Sequence, residues 1–298
     1  MNKTERKWSY LGMLSLIWGS SFILMKRALM GFTPIQLGAL RVIIAGTFLL
    51  IIGYSSIKKI QNYQWKWILL SALLGTFFPS FLYAYAIRGI DSSVASILNS
   101  ITPFNALWIG AAFFSFSFQK SQLLGILIGF VGTIILILQG VNMNPDQNYW
   151  YALLPIVSSF GYAFNVNIIK NYLQDLDALT ITTGNFILII IPAFMVLVFT
   201  NFFTSFELTS KTIPALGYIL VLAIVGTGFA KILFNKLIQI SSPVFSTSVT
   251  YLIPIVAVMW GIIDGEKLSV IQLFGGVVIL LGVYLINKKK VKKGILLR

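Results

Sequence analysis

The sequence predicts an all-α integral membrane protein with ten transmembrane helices, arranged as two inverted five-helix repeats around a central cavity. Three observations predict it: a composition suited to lipid, ten long apolar stretches and an internal repeat. Of the 298 residues, 57% are hydrophobic and only 10% are charged, whereas an ordinary soluble domain carries about 25% charged residues. So few charges could not cover a soluble surface, which argues against a soluble enzyme and against a disordered chain.

The chemistry available to the chain is limited by its composition. It contains no cysteine and no histidine, which excludes disulfides, haem ligation, thiolate or imidazole metal sites, and catalytic dyads or triads built on these residues. All eight acidic residues fall in predicted loops or at predicted helix ends, so no carboxylate pair is expected at membrane depth. The sequence therefore predicts no enzyme, no cofactor and no metal site.

Ten stretches are long enough to cross a bilayer. A hydrocarbon core about 30 Å thick requires about 20 apolar residues in a helix. Nine such stretches contain no charge, and the tenth contains only Arg41. We number them span 1 to span 10 in chain order: residues 8–25, 34–53, 67–87, 92–118, 121–145, 147–169, 178–206, 212–230, 237–263 and 268–287. The loops between them are short, so no soluble domain is expected.

The basic residues predict the orientation of these spans. With the N-terminus inside, fourteen Lys and Arg residues fall in cytoplasmic segments, whereas five fall on the opposite side: Lys26, Arg27, Arg88, Lys211 and Lys267. This asymmetry fits the positive-inside rule and predicts a multi-pass protein of the cell (inner) membrane with both termini in the cytoplasm. It also explains the net charge of +14 without a nucleic-acid partner. The basic tail, residues 288–298, is expected to anchor this topology and is a candidate contact for anionic lipids.

The second half of the chain repeats the first. A shift of 144 residues pairs Trp18 with Tyr162, Ser21 with Asn165 and Arg41 with Asn185. A shift of 151 residues pairs Gly75-Thr76 with Gly226-Thr227, Asn99 with Thr250 and Pro103 with Pro254. We therefore predict two domains, residues 8–143 and 147–287. Because each contains five spans, an odd number, the second must lie upside down relative to the first, an arrangement typical of secondary transporters with a substrate site near the midplane.

Several segments of the two halves carry a family resemblance: Trp18-Gly19-Ser20-Ser21-Phe22, Arg41, residues 95–103 and 246–254, and Gly265-Glu266-Lys267-Leu268. Together they resemble the EamA type, the ten-helix branch of the drug/metabolite transporter superfamily. The resemblance covers nearly the whole chain. It implies paired five-helix bundles around a central cavity, and export or exchange of small metabolites such as amino acids. The acidic residue that ends the fourth helix in typical members is present only in the second half, as Glu266, where we expect it to serve a helix end.

Polar stripes at helical spacing predict the cavity wall, because polar side chains in lipid must face protein or water. Span 4 carries Ser96, Asn99, Ser100 and Pro103, and span 9 carries Thr247, Thr250, Tyr251 and Pro254. Each proline removes a helix hydrogen bond and frees a carbonyl one turn earlier, so Pro103 and Pro254 are expected to form the hinge and wall of the cavity. The alternative is that the hydroxyls bond their own helices and the prolines only bend packed helices.

Spans 1 and 6 carry further candidates for substrate binding at equivalent positions. These are Trp18 and Ser21 in span 1, with Tyr162 and Asn165 in span 6. The aromatic pair could stack on a substrate or enclose it, and simple packing is the alternative. With Asn99, Thr250 and Tyr251 they form the predicted polar and aromatic part of the site.

Three basic residues are placed within membrane-spanning segments: Arg41, Lys231 and Lys236. Insertion scales put the cost of such a charge at about 2.5–3.5 kcal/mol at the helix centre. Snorkelling explains Lys236, and Arg41 either snorkels or pairs with a carbonyl. Lys231 is deeper; it either attracts a substrate carboxylate or phosphate, or has a structural role. With no carboxylate expected at depth, facilitated diffusion or exchange is predicted rather than proton or sodium coupling.

The sequence thus predicts a secondary transporter, acting as exporter, exchanger or facilitator of small organic metabolites by alternating access. Two alternatives stay open. One is a transporter of larger anionic cargo such as nucleotide sugars, which Arg41 and Lys231 would favour, and the other is a non-transporting membrane scaffold. The expected partners are a small-molecule substrate and the lipid bilayer, and the tightly packing spans 5 and 10 are candidates for a homodimer face.

Overall fold

The computed structural model describes residues 2–115 and 147–287, with residues 124–125, 127–129, 131–132, 134–135 and 138–139 between them. Every regular element among these residues is helical. Eight helices are long and apolar enough to cross a membrane, and they correspond to spans 1–4 and 6–9: Thr4–Ala28, Pro34–Lys59, Asn62–Gly89, Ser92–Phe114, Tyr149–Tyr172, Ala178–Val198, Thr212–Ile240 and Pro243–Ile263. The coarse class predicted from the sequence, an all-helical membrane protein, is confirmed.

Two of the ten predicted spans need separate mention. Span 10 forms the helix Val270–Asn287, which contains no charged residue and is not one of the eight helices above. Span 5 lies largely outside the described residues, as does the whole basic tail, residues 288–298. The number of ten transmembrane helices therefore stays a prediction.

Local sequence explains where the helices begin. The helix of span 2 starts at Pro34, whose missing N–H costs nothing in the first turn. Its N-cap residue Thr33 accepts a hydrogen bond from the Gln36 backbone N–H and donates its own N–H to the Gln36 side chain, which is a capping box. At span 7, Asp177 Oδ1 accepts the Thr180 backbone N–H at 2.9 Å. Such caps satisfy backbone donors that would otherwise be unpaired at a membrane boundary.

Three predicted boundaries are wrong for identifiable reasons. The helix of span 8 continues from residue 230 to Ile240, because polar residues beyond the charge-free stretch find partners inside the protein; Asn235 Nδ2, for example, donates to Thr182 Oγ1 at 2.9 Å. Span 9 consequently begins at Pro243 rather than at residue 237. Span 7 ends at Val198 rather than at residue 206, and the chain then passes through Asn201 in the left-handed region, with φ 54°.

The helices pack in a pattern that respects the sequence repeat. Span 1 packs on spans 8 and 9, and span 6 packs on spans 3 and 4. Span 2 packs on spans 3, 7 and 8, span 7 packs on spans 2, 3 and 8, and spans 4 and 9 pack on each other. Exchanging every span for its repeat partner, 1 with 6, 2 with 7, 3 with 8 and 4 with 9, converts this set of contacts into itself.

The interior and exterior of the bundle are both apolar, as expected in lipid. Val42, Leu49, Phe186 and Ile189 are fully buried where spans 2 and 7 meet. The large side chains exposed on the outer surface include Ile51, Phe113, Ile191 and Ile255. A soluble protein rarely exposes so continuous an apolar surface, so dispersion contacts and polar pairs, rather than the removal of apolar groups from water, must distinguish the interior from the surface.

Ion pairs join helix ends that the predicted topology places on one side. Lys59, after span 2, meets Asp177, before span 7, at 2.9 Å. At the opposite end of the bundle, Lys26 of span 1 meets Asp264 and Glu266, which follow span 9, at 2.6 and 2.8 Å. These contacts agree with the predicted alternation of loops across the membrane.

The glycines of spans 5 and 10 are used within the chain. A Cβ on Gly282 would stand 2.5 Å from the backbone of Gly125 and of Gly129, and a Cβ on Gly132 would stand 2.7 Å from the Gly275 carbonyl. Small residues thus let these two backbones approach closely. These glycines of spans 5 and 10 face each other within one chain, so their close packing is no argument for a homodimer. The homodimer stays a prediction.

Candidate functional site

A cavity lies at the centre of the bundle, among spans 1, 2, 3, 4, 6, 8 and 9. Its empty volume is about 680 Å³, including the part open to solvent. Aromatic, hydroxyl, amide and basic side chains line it: Trp18, Ser21, Phe22, Met25, Arg41, Tyr83, Asn99, Thr102, Tyr162, Gly226, Lys231, Phe234, Thr247, Thr250 and Ile253.

Most of the predicted site residues meet in this cavity. Seven of them line it: Trp18, Ser21, Arg41, Asn99, Tyr162, Lys231 and Thr250. They come from six different spans and from both halves of the chain. Four predicted residues do not line it: Asn165, Tyr251, Pro103 and Pro254.

Asn165 and Tyr251 point elsewhere for simple geometric reasons. Asn165 is buried behind the wall, where its Oδ1 accepts a hydrogen bond from Ser71 Oγ at 2.7 Å. Consecutive residues of a helix point about 100° apart, so Thr250 faces the cavity and its neighbour Tyr251 does not. A polar stripe in the sequence indicates which side of a helix faces the interior, but it does not show which residues of that side reach the cavity.

The two prolines are buried and lie off the cavity wall, which corrects the prediction that they form it. Span 4 is interrupted before Pro103, between the helices Ser92–Asn99 and Thr102–Phe114. Pro103 therefore occupies a first turn, where proline is well tolerated. Pro254 lies inside the helix Val249–Ile263. Whether either residue acts as a hinge remains a prediction.

The carbonyls that these prolines free are both satisfied, as the missing N–H groups require. Pro254 frees the carbonyl of Thr250, which accepts a hydrogen bond from Ser100 Oγ of span 4 at 2.8 Å. Pro103 frees the carbonyl of Asn99, which accepts from Thr102 Oγ1 at 2.7 Å. The first of these bonds ties the two broken helices, spans 4 and 9, to each other.

Two π-helical turns, which the sequence did not predict, border the cavity. They comprise Leu73–Phe77 in span 3 and Ile224–Phe229 in span 8, positions that the shift of 151 residues superposes. A π-helical turn disturbs the regular hydrogen-bond ladder and frequently marks a functional site. Here the carbonyls of the central glycines turn to side chains of the cavity: Gly226 O accepts from Trp18 Nε1 at 3.0 Å, and Gly75 O accepts from Lys231 Nζ.

Tyr83 is the most informative lining residue that the sequence reading missed. Its hydroxyl donates to Asn99 Oδ1 at 2.7 Å, and its ring stacks on that of Tyr162, with centroids 6.2 Å apart. Thr76, Ser80 and Tyr83 are spaced i, i+4, i+7, so a polar stripe on span 3 was available as a signal. Among the other missed residues, Phe22, Met25, Phe234 and Ile253 are apolar and carry no such signal, whereas Thr102 is polar.

Both basic residues of the cavity are held by polar groups from the opposite half of the chain. Arg41 Nε donates to Thr227 Oγ1 at 2.6 Å, and its Nη1 lies 3.6 Å from Met25 Sδ. Lys231 donates to the Gly75 carbonyl and lies 5.6 Å from the centroid of the Tyr162 ring. No aspartate or glutamate is among the residues that line the cavity.

Glu266 serves a helix end, as expected from the sequence. Its carboxylate accepts the backbone N–H groups of Ser92 and Ser93 at 3.1 Å and their hydroxyls at 2.6 Å. It thereby caps the first turn of span 4, where an anion also suits the helix dipole. Burial alone would raise the pKa of Glu266, but hydrogen bonds from Lys26, Ser92 and Ser93 outweigh it and hold the pKa below its ordinary value of 4.5.

Replacing Glu266 by glutamine should lower the thermal stability at neutral pH. A lowered folded-state pKa contributes stability that is complete above the unfolded-state pKa and is lost as the pH falls through the folded-state pKa. The melting temperatures of the natural protein and of Glu266→Gln should therefore differ at pH 7 and converge only as the pH falls below 4.5, measured in detergent. Glu207→Gln, in an exposed loop, is the control and should change neither value. Equal melting temperatures at pH 7 would contradict the capping role.

Comparison with known proteins identifies the family. The EamA-like transporter family matches residues 7–138 and, a second time, residues 149–288. The chain belongs to this family. The two matches of the EamA family together cover most of the chain, and they lie one in each half.

Curated relatives agree with a membrane transporter of the EamA type. An uncharacterized transporter of Archaeoglobus fulgidus is 25% identical over 289 residues, covering 96% of this chain and 100% of that protein. The uncharacterized inner membrane transporter YedA of Escherichia coli K12 is 27% identical, covering 93% and 92%. The uncharacterized transporter YvbV of Bacillus subtilis is 25% identical, covering 94% and 90%.

A solved structure supports the fold of this EamA-family chain. A crystal structure described only as that of a protein superposes with a TM-score of 0.66 at 15% identity, covering 95% of this chain and 96% of the other. At that identity the similarity concerns the fold alone. The family match and the curated relatives make the chain a multi-pass membrane transporter of the EamA type.

Proposed function

We propose that this EamA-family chain is a secondary transporter of small organic metabolites, and that it works by alternating access between two inverted five-helix halves. The observation that carries the proposal is the central cavity, whose wall takes residues from both halves at positions that the sequence repeat pairs: Trp18 with Tyr162, and Asn99 with Thr250. Sites between inverted repeats are the usual location of substrate in secondary transporters.

The exchange symmetry of the helix contacts supports the proposed mechanism. Because the contact set is unchanged when each span is replaced by its repeat partner, the two halves can adopt each other's conformation. The two exchanged states are related by a pseudo-two-fold rotation about an axis in the membrane plane, so they are open to opposite sides and similar in energy. That near-equality is what alternating access requires.

The glycine carbonyls of the two π-helical turns accept hydrogen bonds from different side chains, and an exchange of conformations between the halves would reverse this difference. Trp18 of span 1 donates to the Gly226 carbonyl of span 8. Its repeat partner Tyr162 faces the equivalent turn of span 3, but there the Gly75 carbonyl accepts from Lys231. We propose that these contacts loosen and form in alternation as one half rocks against the other.

Facilitated diffusion or exchange is the proposed mode of transport. A proton or sodium pathway usually places a carboxylate or an imidazole at membrane depth. The sequence has no histidine, and the residues lining the cavity include no carboxylate. The cavity wall therefore offers no such group for coupling.

Counterflow in proteoliposomes tests the proposal. Vesicles preloaded with one unlabelled compound should accumulate the same compound in labelled form, across a panel of amino acids, organic acids, nucleosides and amines. We expect at least one class to give counterflow that empty vesicles do not. Zero counterflow for the whole panel with folded protein would instead support a scaffold, and chemical conversion of a compound would support an enzyme.

Larger anionic cargo such as nucleotide sugars is the second candidate. It is favoured by a specific observation, the two basic side chains Arg41 and Lys231 on the cavity wall. Adding a nucleotide sugar to the same panel separates the two candidates. Counterflow restricted to that compound would replace small metabolites as the proposed substrates.

A further inference from the structure

We infer that Arg41 of the first half and Lys231 of the second half jointly bind the anionic group of the substrate, so that the cavity selects organic anions over amines and over zwitterionic amino acids. The inference rests on the proposed function, since it assumes that the central cavity is the transport site. It deepens that proposal by naming the substrate class.

The first step is the position of the Arg41 guanidinium. Arg41 belongs to span 2, but its Nε donates to Thr227 Oγ1 of span 8 at 2.6 Å. Thr227 Oγ1 in turn donates to the Leu222 carbonyl at 3.0 Å, so the hydroxyl proton is engaged and the oxygen is oriented as an acceptor. This bond fixes one edge of the Arg41 guanidinium. The group carries five N–H donors, and the bonds to Thr227 and Met25 use two of them.

The second step is the neighbourhood of Lys231. It follows Thr227 by four positions on the same helix, which is about one turn. The bond from Arg41 to Thr227 therefore brings the guanidinium to the turn next to the Lys231 ammonium. The ammonium has three donors, of which one is directed at the Gly75 carbonyl.

The third step is the charge balance. Two neighbouring cations repel each other, and the repulsion is strong where water is scarce. Basic residues at the ends of this bundle have acidic partners, as Lys26 has Glu266 and Lys59 has Asp177. The cavity wall supplies no carboxylate to Arg41 or Lys231. A bound anion would remove this imbalance, and charge-assisted bonds to arginine and lysine are the strong ones.

The fourth step is what an ammonium group would meet. It would be repelled by both cations and would find no carboxylate among the lining residues. The two glycine carbonyls at the π-helical turns already accept from Trp18 and Lys231. Asn99 Oδ1 already accepts from Tyr83. A cationic group, alone or in a zwitterion, is therefore disfavoured.

The rest of the wall indicates what the anionic group is attached to. Trp18 packs edge-on against Phe234 with centroids 5.0 Å apart, and Phe22 packs edge-on against Tyr83 at 5.7 Å. Together with Tyr162 these rings offer flat apolar surface beside the two cations. The ligand class that fits is an organic anion with an apolar, planar body.

Four probes with one phenyl body test the inference by calorimetric titration of the full-length protein in detergent. Phenylpyruvate carries a carboxylate alone, phenyl phosphate a phosphate alone, phenylalanine both carboxylate and ammonium, and phenethylamine an ammonium alone. We expect phenylpyruvate or phenyl phosphate to bind at least about tenfold more tightly than phenylalanine, with no measurable binding of phenethylamine. The two anions distinguish a carboxylate substrate from a phosphate substrate.

Variants assign the effect to the two residues. Arg41→Gln and Lys231→Gln should each weaken binding of the preferred anion about tenfold or more, whereas Lys231→Arg should retain most of it. Lys236→Gln is the matched control, because Lys236 is an exposed lysine on the same helix and does not line the cavity. A melting curve for each variant shows whether it is folded. If the glutamine variants do not fold, the comparison of the four probes on the natural protein still decides whether the cavity selects anions.

The outcomes separate the inference from the proposed function. Binding of phenethylamine or phenylalanine as tight as that of the anions overturns the inference, as do unchanged affinities in both glutamine variants or binding of none of the four probes. If amines or amino acids then give counterflow, transport stands and anion selection falls. If the anions bind as expected but no compound gives counterflow, the anion site stands and the proposed transport falls.

Discussion

The variant Gly161→Val should be strongly destabilised, because span 6 has no room for a side chain at this position. A Cβ on Gly161 would stand 2.5 Å from the carbonyl oxygen of Leu74. That oxygen is backbone at the π-helical turn of span 3, so it cannot move aside as a flexible side chain would. Overpacking of this kind costs about 1–3 kcal/mol and occasionally more, and valine adds the loss of side-chain freedom in a helix.

The measurement is the melting temperature of the purified protein in detergent, with Gly217→Val as the matched control. Gly217 is also in a transmembrane helix, but a Cβ there meets nothing within 4 Å. We expect Gly161→Val to melt several degrees lower, since about 1 kcal/mol corresponds to about 2–4 °C in proteins of 150–250 residues. A control that loses as much stability as Gly161→Val would show that the loss comes from the glycine-to-valine change itself and not from the contact with span 3.

The second large effect is expected at Ser100. Ser100→Ala should leave the Thr250 carbonyl, which Pro254 deprives of its helix partner, without the hydrogen bond that it accepts at 2.8 Å. A buried polar group without its partner costs about 1–3 kcal/mol. Ser96→Ala is the matched control, because Ser96 is equally buried in the same span but bonds the Ser93 carbonyl of its own helix.

A double-mutant cycle assigns that effect to the freed carbonyl. In Ser100→Ala/Pro254→Ala, the alanine at position 254 has a backbone N–H that can donate to Thr250, as in an uninterrupted helix. We therefore expect the double variant to lose less stability than the sum of the two single variants, measured as melting temperatures. Strict additivity would mean that Ser100 does not compensate for the proline. Counterflow measured on Pro254→Ala alone would test the predicted hinge.

Much of the fold is readable in the sequence because lipid imposes a strict rule on it. A backbone in hydrocarbon must satisfy its own hydrogen bonds, so helices of membrane length with apolar side chains are required. Span 8 departs from this rule, because Lys231 and Asn235 lie inside its helix. The charge-free stretch that defines span 8 ends at residue 230, whereas the helix continues because the bundle supplies Gly75 and Thr182 as partners of these two side chains.

The site was readable in part for the same reason. Polar residues at helical spacing must face the interior, and this rule correctly selected Asn99 and Thr250 for the cavity. It failed at Asn165, which also faces the interior but bonds Ser71 behind the wall. Whether a buried polar residue lines a cavity or fills a helix contact depends on the neighbouring helix, and spacing along one helix carries no information about its neighbour.

The amino-acid sequence by itself determined that this chain crosses the membrane repeatedly, that its halves are related and that its family is that of the EamA-like transporters. The first two follow from composition, span length and the internal repeat, which can be read without knowing how the helices pack, and the family follows from the match of both halves to the EamA-like transporter family. Only the tertiary structure decided that Arg41 bonds Thr227 beside Lys231, and that paired π-helical turns border the cavity. Those contacts join residues far apart in the chain, and they depend on how closely and at what rotation two helices meet, which the sequence of either helix leaves open.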